Sequence, residues 1–187
     1  MDAFGYLSVL LSIIIGLGLT QVLTSCGRLI RHRERVRIYW PPLVWAGVLL
    51  LIYVQVWWAM FGLRSVQSWT FLTFFVVLMQ TVTLYMMAAV VLPEQVDETL
   101  VDLRSFYARQ QGWLLGFLLA TLVVSVIKEF LLVGRPPLGL NLAFHLLLAA
   151  ACISGLLVRR PRYHEVLTVT CAVALVAYVA ILFARLR

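Results

Sequence analysis

The sequence predicts an all-α integral membrane protein, a bundle of about six transmembrane helices. Hydrophobic residues make up 63% of the 187 residues and charged residues only 12%, whereas soluble domains carry about 25% charged residues. The apolar residues come in runs of about 20, the number that crosses a ~30 Å hydrocarbon core at ~1.5 Å per residue. The basic residues gather in short runs between these stretches. The expected surroundings of the chain are therefore a lipid bilayer.

The apolar runs divide a single transmembrane domain, residues 1–187, into six spans. They lie at about 4–27, 39–63, 69–92, 112–133, 138–158 and 166–184. The second span opens with Pro41 and Pro42, and proline suits the first turn of a helix. The fourth span is interrupted by Lys128 and Glu129. A five-span protein in which this fourth segment is re-entrant is the alternative.

The loop arginines predict the orientation. With six spans, the first, third and fifth loops share one side, which holds 10 of the 15 basic residues. Those ten are Arg28, Arg31, Arg33, Arg35, Arg37, Arg104, Arg109, Arg159, Arg160 and Arg162. The positive-inside rule makes this side cytoplasmic and places both termini outside, in a bacterial inner membrane. Because the clusters abut hydrophobic spans, topology and anionic lipid explain the charge, and no nucleic-acid partner is expected.

The longest stretch between two spans is 93–111, which predicts a short amphipathic helix at the cytoplasmic surface. Its apolar residues at helical spacing are Val96, Leu100, Leu103 and Tyr107, and its acidic residues are Glu94, Asp97, Glu98 and Asp102. Acidic side chains are favourable near a helix N-terminus, and an apolar stripe suits the membrane interface. The acidic residues also suggest the hypothesis that this segment faces the arginine-rich first loop.

Small residues recur every four positions along the first span, at Ser8, Ser12, Gly16, Thr20 and Thr24. In lipid, packing replaces the hydrophobic effect between helices, so such a ridge lets two backbones approach closely. The pattern indicates either that the first helix is packed centrally or that it forms a self-association face. The second interpretation makes a homo-oligomer or a membrane partner possible.

Polar residues within the spans suggest one candidate site. The tight turn at 134–137 folds the fourth and fifth helices back on each other, and counting from it places Glu129 level with Asn141, and Ser125 near His145. Four other polar residues fall at similar depth in the outer half, each by counting from its helix end: Ser12, Gln55, Thr73 and Tyr178. The candidate cluster is Gln55, Ser125, Glu129, Asn141, His145 and Tyr178, while Lys128 is expected to snorkel outward.

This cluster has two interpretations. Polar groups in a membrane often hydrogen-bond between helices simply to hold a bundle together, at about 0.6 kcal/mol each. The cluster could instead bind a ligand, an ion or a proton. In that case His145 is the leading candidate, because the charge of histidine can change near neutral pH.

Several segments resemble small bacterial multi-spanning inner-membrane proteins that have no assigned activity. The resemblance is carried by residues 4–12 (FGYLSVLLS), 16–21 (GLGLTQ), 55–58 (QVWW), 141–145 (NLAFH) and 163–166 (YHEV). It covers most of the chain and implies a multi-spanning fold. It implies no activity, and no catalytic residue carries over from it.

The sequence favours a small polytopic protein that binds or passes a small solute, ion or proton at the polar cluster. One alternative is a structural or regulatory protein that acts through helix–helix contacts; another is a membrane-embedded enzyme. An intramembrane enzyme needs a nucleophile with its base, a metal set or paired carboxylates, and Glu129 is the only deep carboxylate. No catalytic residue, metal site or cofactor is predicted, since Cys26, Cys152 and Cys171 lack metal or redox spacing. Substrate, partner and oligomeric state stay open.

Overall fold

Six helices account for most of the chain. The computed structural model describes residues 3–66, 68–95 and 100–182. The helices are α1 (Ala3–Arg31), α2 (Trp40–Ala59), α3 (Phe71–Val91), α4 (Leu103–Val133), α5 (Gly139–Leu157) and α6 (Pro161–Leu182). Short 3-10 helices, Arg33–Arg35 and Met60–Ser65, precede and follow α2 at its two ends. All six long helices have the length and apolar composition to cross a membrane. The predicted all-α multi-pass bundle is therefore confirmed.

Local sequence signals explain where several helices begin and end. Pro41 lies in the first turn of α2, where its missing N–H is not needed. The Thr70 side chain accepts a hydrogen bond from the backbone N–H of Thr73 and so caps α3. Asp102 caps α4 in the same way. Gly134 ends α4 with φ +75°, a left-handed conformation that glycine adopts without a Cβ clash.

The helices pack into one bundle in which α3 contacts both α1 and α4, α4 contacts α5, and α6 contacts α2 and α5. Large side chains fill the centre; those that are almost fully buried include Leu11, Trp45, Leu49, Tyr53, Leu84, Met87, Leu114 and Leu118. Large apolar side chains also cover the outward surface, as at Phe71 and Leu157, which are 82% and 79% exposed. A bundle that is apolar on both its inner and outer faces is suited to lipid.

The small-residue ridge of α1 faces away from the bundle. Ser12, Gly16, Thr20 and Thr24 are exposed, and Ser8 is half-buried. The face that packs against the other helices carries Leu11, Ile15, Gly18, Val22, Ser25 and Leu29. Of the two interpretations of the ridge, central packing within one chain is therefore excluded for most of its length.

We expect Gly18→Ala to destabilise the protein and Gly16→Ala to leave it unchanged. A Cβ at Gly18 would overlap the hydroxyl and ring of Tyr53, which is fully buried. Overpacking of this kind costs about 1–3 kcal/mol. Among the described residues, nothing lies within 4 Å of the corresponding position at Gly16. Unfolding of the two variants in detergent measures the difference, and equal stabilities would contradict the close packing of α1 on α2.

The segment 93–111 differs from its prediction. Leu103 and Tyr107 are buried, as an apolar face requires, but they belong to the first turns of α4. The described residues between α3 and α4 form bends and a two-residue strand, β2 (Val101–Asp102), rather than a separate interfacial helix. Residues 96–99, with Val96, Asp97 and Glu98, lie outside the described residues. The helix starts late because Asp102 provides its cap, and it then continues directly into the span.

The length of α4 bears on the five-span alternative. Its 31 residues form one continuous helix that passes through Lys128 and Glu129. At ~1.5 Å per residue it is about 46 Å long, which exceeds the ~30 Å hydrocarbon core. A re-entrant segment would have to turn back within this length. The continuous helix therefore favours a full crossing, with its first turns projecting beyond the membrane.

The first loop contacts the segment before α4, as hypothesised, and the contacts are made with the backbone of that segment. Strand β1 (Val36–Arg37) pairs in parallel with β2. The Arg28 guanidinium donates a hydrogen bond to the backbone carbonyl of Glu94. The first loop also reaches α6, since the Tyr39 hydroxyl donates to a Glu165 carboxylate oxygen at 3.1 Å. The first, third and fifth loops therefore lie at the same end of the bundle.

Candidate functional site: a polar cavity between five helices

A cavity of about 220 Å³ lies in the half of the bundle that contains the C-terminal ends of α2, α4 and α6 and the N-terminal end of α5. Helices α2 to α6 all contribute to its lining. Apolar side chains form much of the wall. The polar lining residues are Gln55, Gln80, Thr81, Thr121, Ser125, Lys128, Glu129, Asn141, His145 and Tyr178. All six side chains of the predicted cluster are therefore brought to one cavity.

The turn between α4 and α5 sets the levels of the polar residues on these two helices. The Asn141 amide donates to a Glu129 carboxylate oxygen at 2.9 Å. One helical turn further from the loop, His145 Nε2 lies 3.2 Å from the Ser125 hydroxyl oxygen. Both pairs are those expected from counting residues outward from the turn. The Gly134 and Gly139 backbones, each at positive φ, make this reversal short.

The hydrogen bonds of His145 define its tautomer. Its Nδ1 lies 2.8 Å from the backbone carbonyl oxygen of Asn141. A carbonyl only accepts, so Nδ1 carries a proton and donates it. In the neutral ring Nε2 is then the acceptor, and the Ser125 hydroxyl donates to it.

Tyr178 connects α6 to the same network. Its hydroxyl donates to the Asn141 side-chain carbonyl at 3.2 Å. Its ring packs edge-on against Phe144 and His145, with centroid separations of 5.4 and 6.1 Å. Asn141 thus accepts from Tyr178 and donates to Glu129, which links three helices through one amide group.

Lys128 and Gln80 are two lining residues that the sequence analysis did not place here. The Lys128 ammonium donates to the Gln80 side-chain oxygen on α3 at 2.7 Å, so the expectation that this lysine snorkels outward is wrong. Adjacent helical residues point about 100° apart. The Lys128 side chain therefore points toward α3 and the Glu129 side chain points toward α5. Both side chains line the cavity. A signal for Gln80 was present in the sequence, since it is the only amide side chain in the third span.

A second group of polar residues lies at the opposite, arginine-rich end. His164 is fully buried; its Nε2 donates to the Val158 carbonyl at 2.9 Å, and its Nδ1 accepts from the Tyr107 hydroxyl at 3.4 Å. The Thr168 hydroxyl donates to the His164 carbonyl at 2.7 Å, and Trp45 Nε1 donates to the Thr168 hydroxyl at 3.1 Å. These groups satisfy one another across α2, α4 and α6, as interhelical hydrogen bonds do in membrane proteins.

Tyr39 closes this end of the bundle. It lies just before α2 and is half-buried against Tyr107, with the Arg104 guanidinium 5.9 Å from its ring centroid. Burial first, and then the hydrogen bond and negative charge of Glu165, raise the pKa of Tyr39 to about 12. Tyr39 therefore keeps its proton at neutral pH and can donate it to the hydrogen bond with Glu165.

All three cysteines lie within the described part of the chain. Cys152 and Cys171 are buried and Cys26 is half-buried, each as a free thiol. Among residues 3–66, 68–95 and 100–182, no group of three or more His, Cys, Asp or Glu side chains could hold a metal ion. Comparison of the chain with protein-family models, curated proteins and solved structures finds no match.

Proposed function

We propose that this protein binds a small polar or charged solute or ion and passes it across the membrane. The binding site is the cavity that helices α2, α3, α4, α5 and α6 line together. The observation that carries the proposal is the charged pair Lys128 and Glu129, both of which line a cavity of about 220 Å³ within the membrane-spanning part of the bundle. Gln80 hydrogen-bonds to Lys128 and Asn141 hydrogen-bonds to Glu129 within this cavity.

The cost of these charges supports a binding role over interhelical bonding alone. Charged side chains within a membrane-spanning segment are unfavourable, by up to about 2.5–3.5 kcal/mol at the bilayer centre on insertion scales, and such residues commonly mark solute or ion pathways. Interhelical bonding needs neither formal charge nor empty space. The group around His164 illustrates this, because it joins three helices with neutral side chains that pair with one another.

The donors and acceptors suggest the class of solute. Lys128 offers an ammonium group with N–H donors beyond the one used by Gln80, and Glu129 offers a carboxylate with an oxygen beyond the one used by Asn141. A site with one charge of each sign is suited to a small zwitterion or to an ion with its counter-charge. His145 and Ser125 provide a neighbouring hydrogen-bonded pair that lines the same cavity.

We also propose that the membrane is a bacterial inner membrane and that the cavity lies in its outer half. The end of the bundle opposite the cavity carries 10 of the 15 basic residues, and contacts among the first, third and fifth loops support their placement on one side. By the positive-inside rule that side is cytoplasmic, with both termini outside.

Labelling of an introduced cysteine tests whether water and solutes reach the cavity. The reporter is Ser125→Cys in a chain whose three native cysteines are replaced by alanine, treated from outside with a membrane-impermeant methanethiosulfonate. The matched control is Val123→Cys, which is on the same helix but 52% exposed on the outward, lipid-facing surface. We expect the reporter to react at least ~10-fold faster than the control, because a thiolate forms only where water is present.

A second reporter tests whether the labelling of Ser125→Cys reflects the whole cavity or only the surroundings of that substitution. Gln55→Cys lies across the cavity on α2 and should react in the same way. If both reporters react as slowly as Val123→Cys in a folded protein, the cavity is closed to solutes and the proposal fails. The polar cluster then serves to hold the helices together, and the outward ridge of α1 becomes the surface to test for partners, beginning with enlargement of Gly16.

A further inference from the structure

The turn between α5 and α6 forms a basic groove at the surface of the bundle, at the end opposite the cavity. The groove is open, with a volume of about 740 Å³. Its lining residues are Leu157, Val158, Arg159, Arg160, Arg162 and Tyr163. All three arginines are exposed, so three guanidinium groups gather within a four-residue stretch.

The backbone beneath these arginines is held in place by buried contacts. His164 Nε2 donates to the carbonyl of Val158, and the backbone N–H of His164 bonds to the carbonyl of Arg160 at 3.2 Å. The Val158 N–H in turn bonds to the Ser154 carbonyl at 2.9 Å. Since His164 is fully buried, the turn is anchored to the core, and the arginines extend from a fixed backbone rather than from a loose loop.

The groove lies where two lipid-facing helix surfaces end. On α5, Leu157 lines the groove and is 79% exposed, and Ile153, one turn earlier on the same face, is 49% exposed. On α6, Arg162 shares a face with Val166 and Val169, which follow it by four and seven residues and are 67% and 49% exposed. The groove therefore lies at the ends of two apolar strips, and Arg162 stands directly at the end of the strip on α6.

We propose that this groove is a binding site for the headgroup of an anionic phospholipid. The arginines would bind the phosphate, since guanidinium groups form paired hydrogen bonds with phosphate oxygens, and the acyl chains would lie along the apolar faces of α5 and α6. Basic pockets between transmembrane helices bind anionic headgroups by this combination of charge and apolar contact. A soluble phosphate would bind the arginines but would make no contact with the apolar faces of α5 and α6, so those faces would not contribute to its affinity.

Thermal unfolding of the full-length protein in a neutral detergent tests the site. Dioleoyl-phosphatidylglycerol is added at increasing mole fraction, and dioleoyl-phosphatidylcholine serves as the zwitterionic lipid with the same chains. We expect phosphatidylglycerol to raise the unfolding temperature saturably and phosphatidylcholine to have little effect. In Arg159→Gln/Arg160→Gln/Arg162→Gln the apparent affinity should fall at least ~10-fold, because each basic group near an anionic headgroup contributes several-fold.

The matched control removes the same charge from the same end of the bundle, in Arg31→Gln/Arg33→Gln/Arg35→Gln, whose arginines are exposed in or beside the first loop. This variant should keep most of the affinity. An equal loss in both triple variants would show general attraction to anionic lipid and overturn the site. Equal stabilisation by soluble glycerol phosphate would also overturn it, in favour of a soluble anion. If the groove triple variant does not fold, two other measurements test the site. They are the apparent affinity of Arg162→Gln alone for phosphatidylglycerol and the retention of lipid by the wild-type protein in native mass spectrometry.

Discussion

Glu129→Gln and Lys128→Gln are expected to change the charge selectivity of the cavity in opposite directions. In the Ser125→Cys reporter, the introduced thiol lies one helical turn from both residues, at a Cβ separation of about 5–6 Å. A unit charge at that distance is worth about 1–3 kcal/mol, between the limits of bulk water and a partly buried site. Each substitution should therefore shift the ratio of labelling rates for cationic and anionic methanethiosulfonates by at least ~10-fold.

The sign of each change follows from the charge that remains. Glu129→Gln leaves the Lys128 ammonium, so the labelling rate of the anionic reagent should rise relative to that of the cationic reagent. Lys128→Gln leaves the Glu129 carboxylate, so the labelling rate of the cationic reagent should rise relative to that of the anionic reagent. Glutamine at position 129 can still accept from Asn141, which limits structural disturbance. A ratio that does not change in either variant would mean that these charges do not act on solutes in the cavity.

His164→Ala is expected to lower the free energy of unfolding by about 2–4 kcal/mol, a larger loss of stability than Gly18→Ala should cause. The change removes a fully buried ring and the donor to the Val158 carbonyl, and it takes away the acceptor of the Tyr107 hydroxyl. A buried polar group left without its partner costs about 1–3 kcal/mol, and the cavity left by the ring adds to that.

Two further substitutions divide this effect into its parts. Tyr107→Phe removes only the hydroxyl and should cost about 0.6 kcal/mol, the average for a hydrogen bond between membrane helices. His32→Ala is the matched control, because within the described chain its side chain makes no capping hydrogen bond, and it should cost less than about 0.5 kcal/mol. Unfolding in sodium dodecyl sulfate measures all three. A loss at His164 no larger than that at His32 would contradict the role of His164 in joining α4, α5 and α6.

Much of the candidate site was predictable because it depends on one short turn. A tight reversal between two helices places residues at equal distances from the turn side by side, so Glu129 meets Asn141 and Ser125 meets His145. Gln55 and Tyr178 could be assigned a depth only by counting along separate helices. Their convergence on the cavity needed α2 and α6 to face α4 and α5, which the bundle provides.

Other features depended on contacts between distant parts of the chain. Lys128 could have extended to the interface, but Gln80 on α3 offers its oxygen at 2.7 Å, so the ammonium stays at the cavity. The acidic pattern before α4 suggested an interfacial helix, yet pairing of β2 with β1 from the first loop holds two of its residues extended. In both cases the partner lies tens of residues away, and residue spacing carries no information about it.

By itself the sequence determined the class of the protein, the number of membrane-spanning helices and, except for the start of α4, their approximate limits. These follow from the free energy of placing each residue in lipid or in water, which depends on residue type and is summed along the chain. Tertiary structure decided which face of each helix is covered. On α1, the small residues Ser12, Gly16 and Thr20 and the large residues Leu11 and Ile15 can all lie within a membrane-spanning helix, so residue type alone does not decide which face is covered. Tyr53 fits against Gly18, and that shape match turns the ridge of small residues outward.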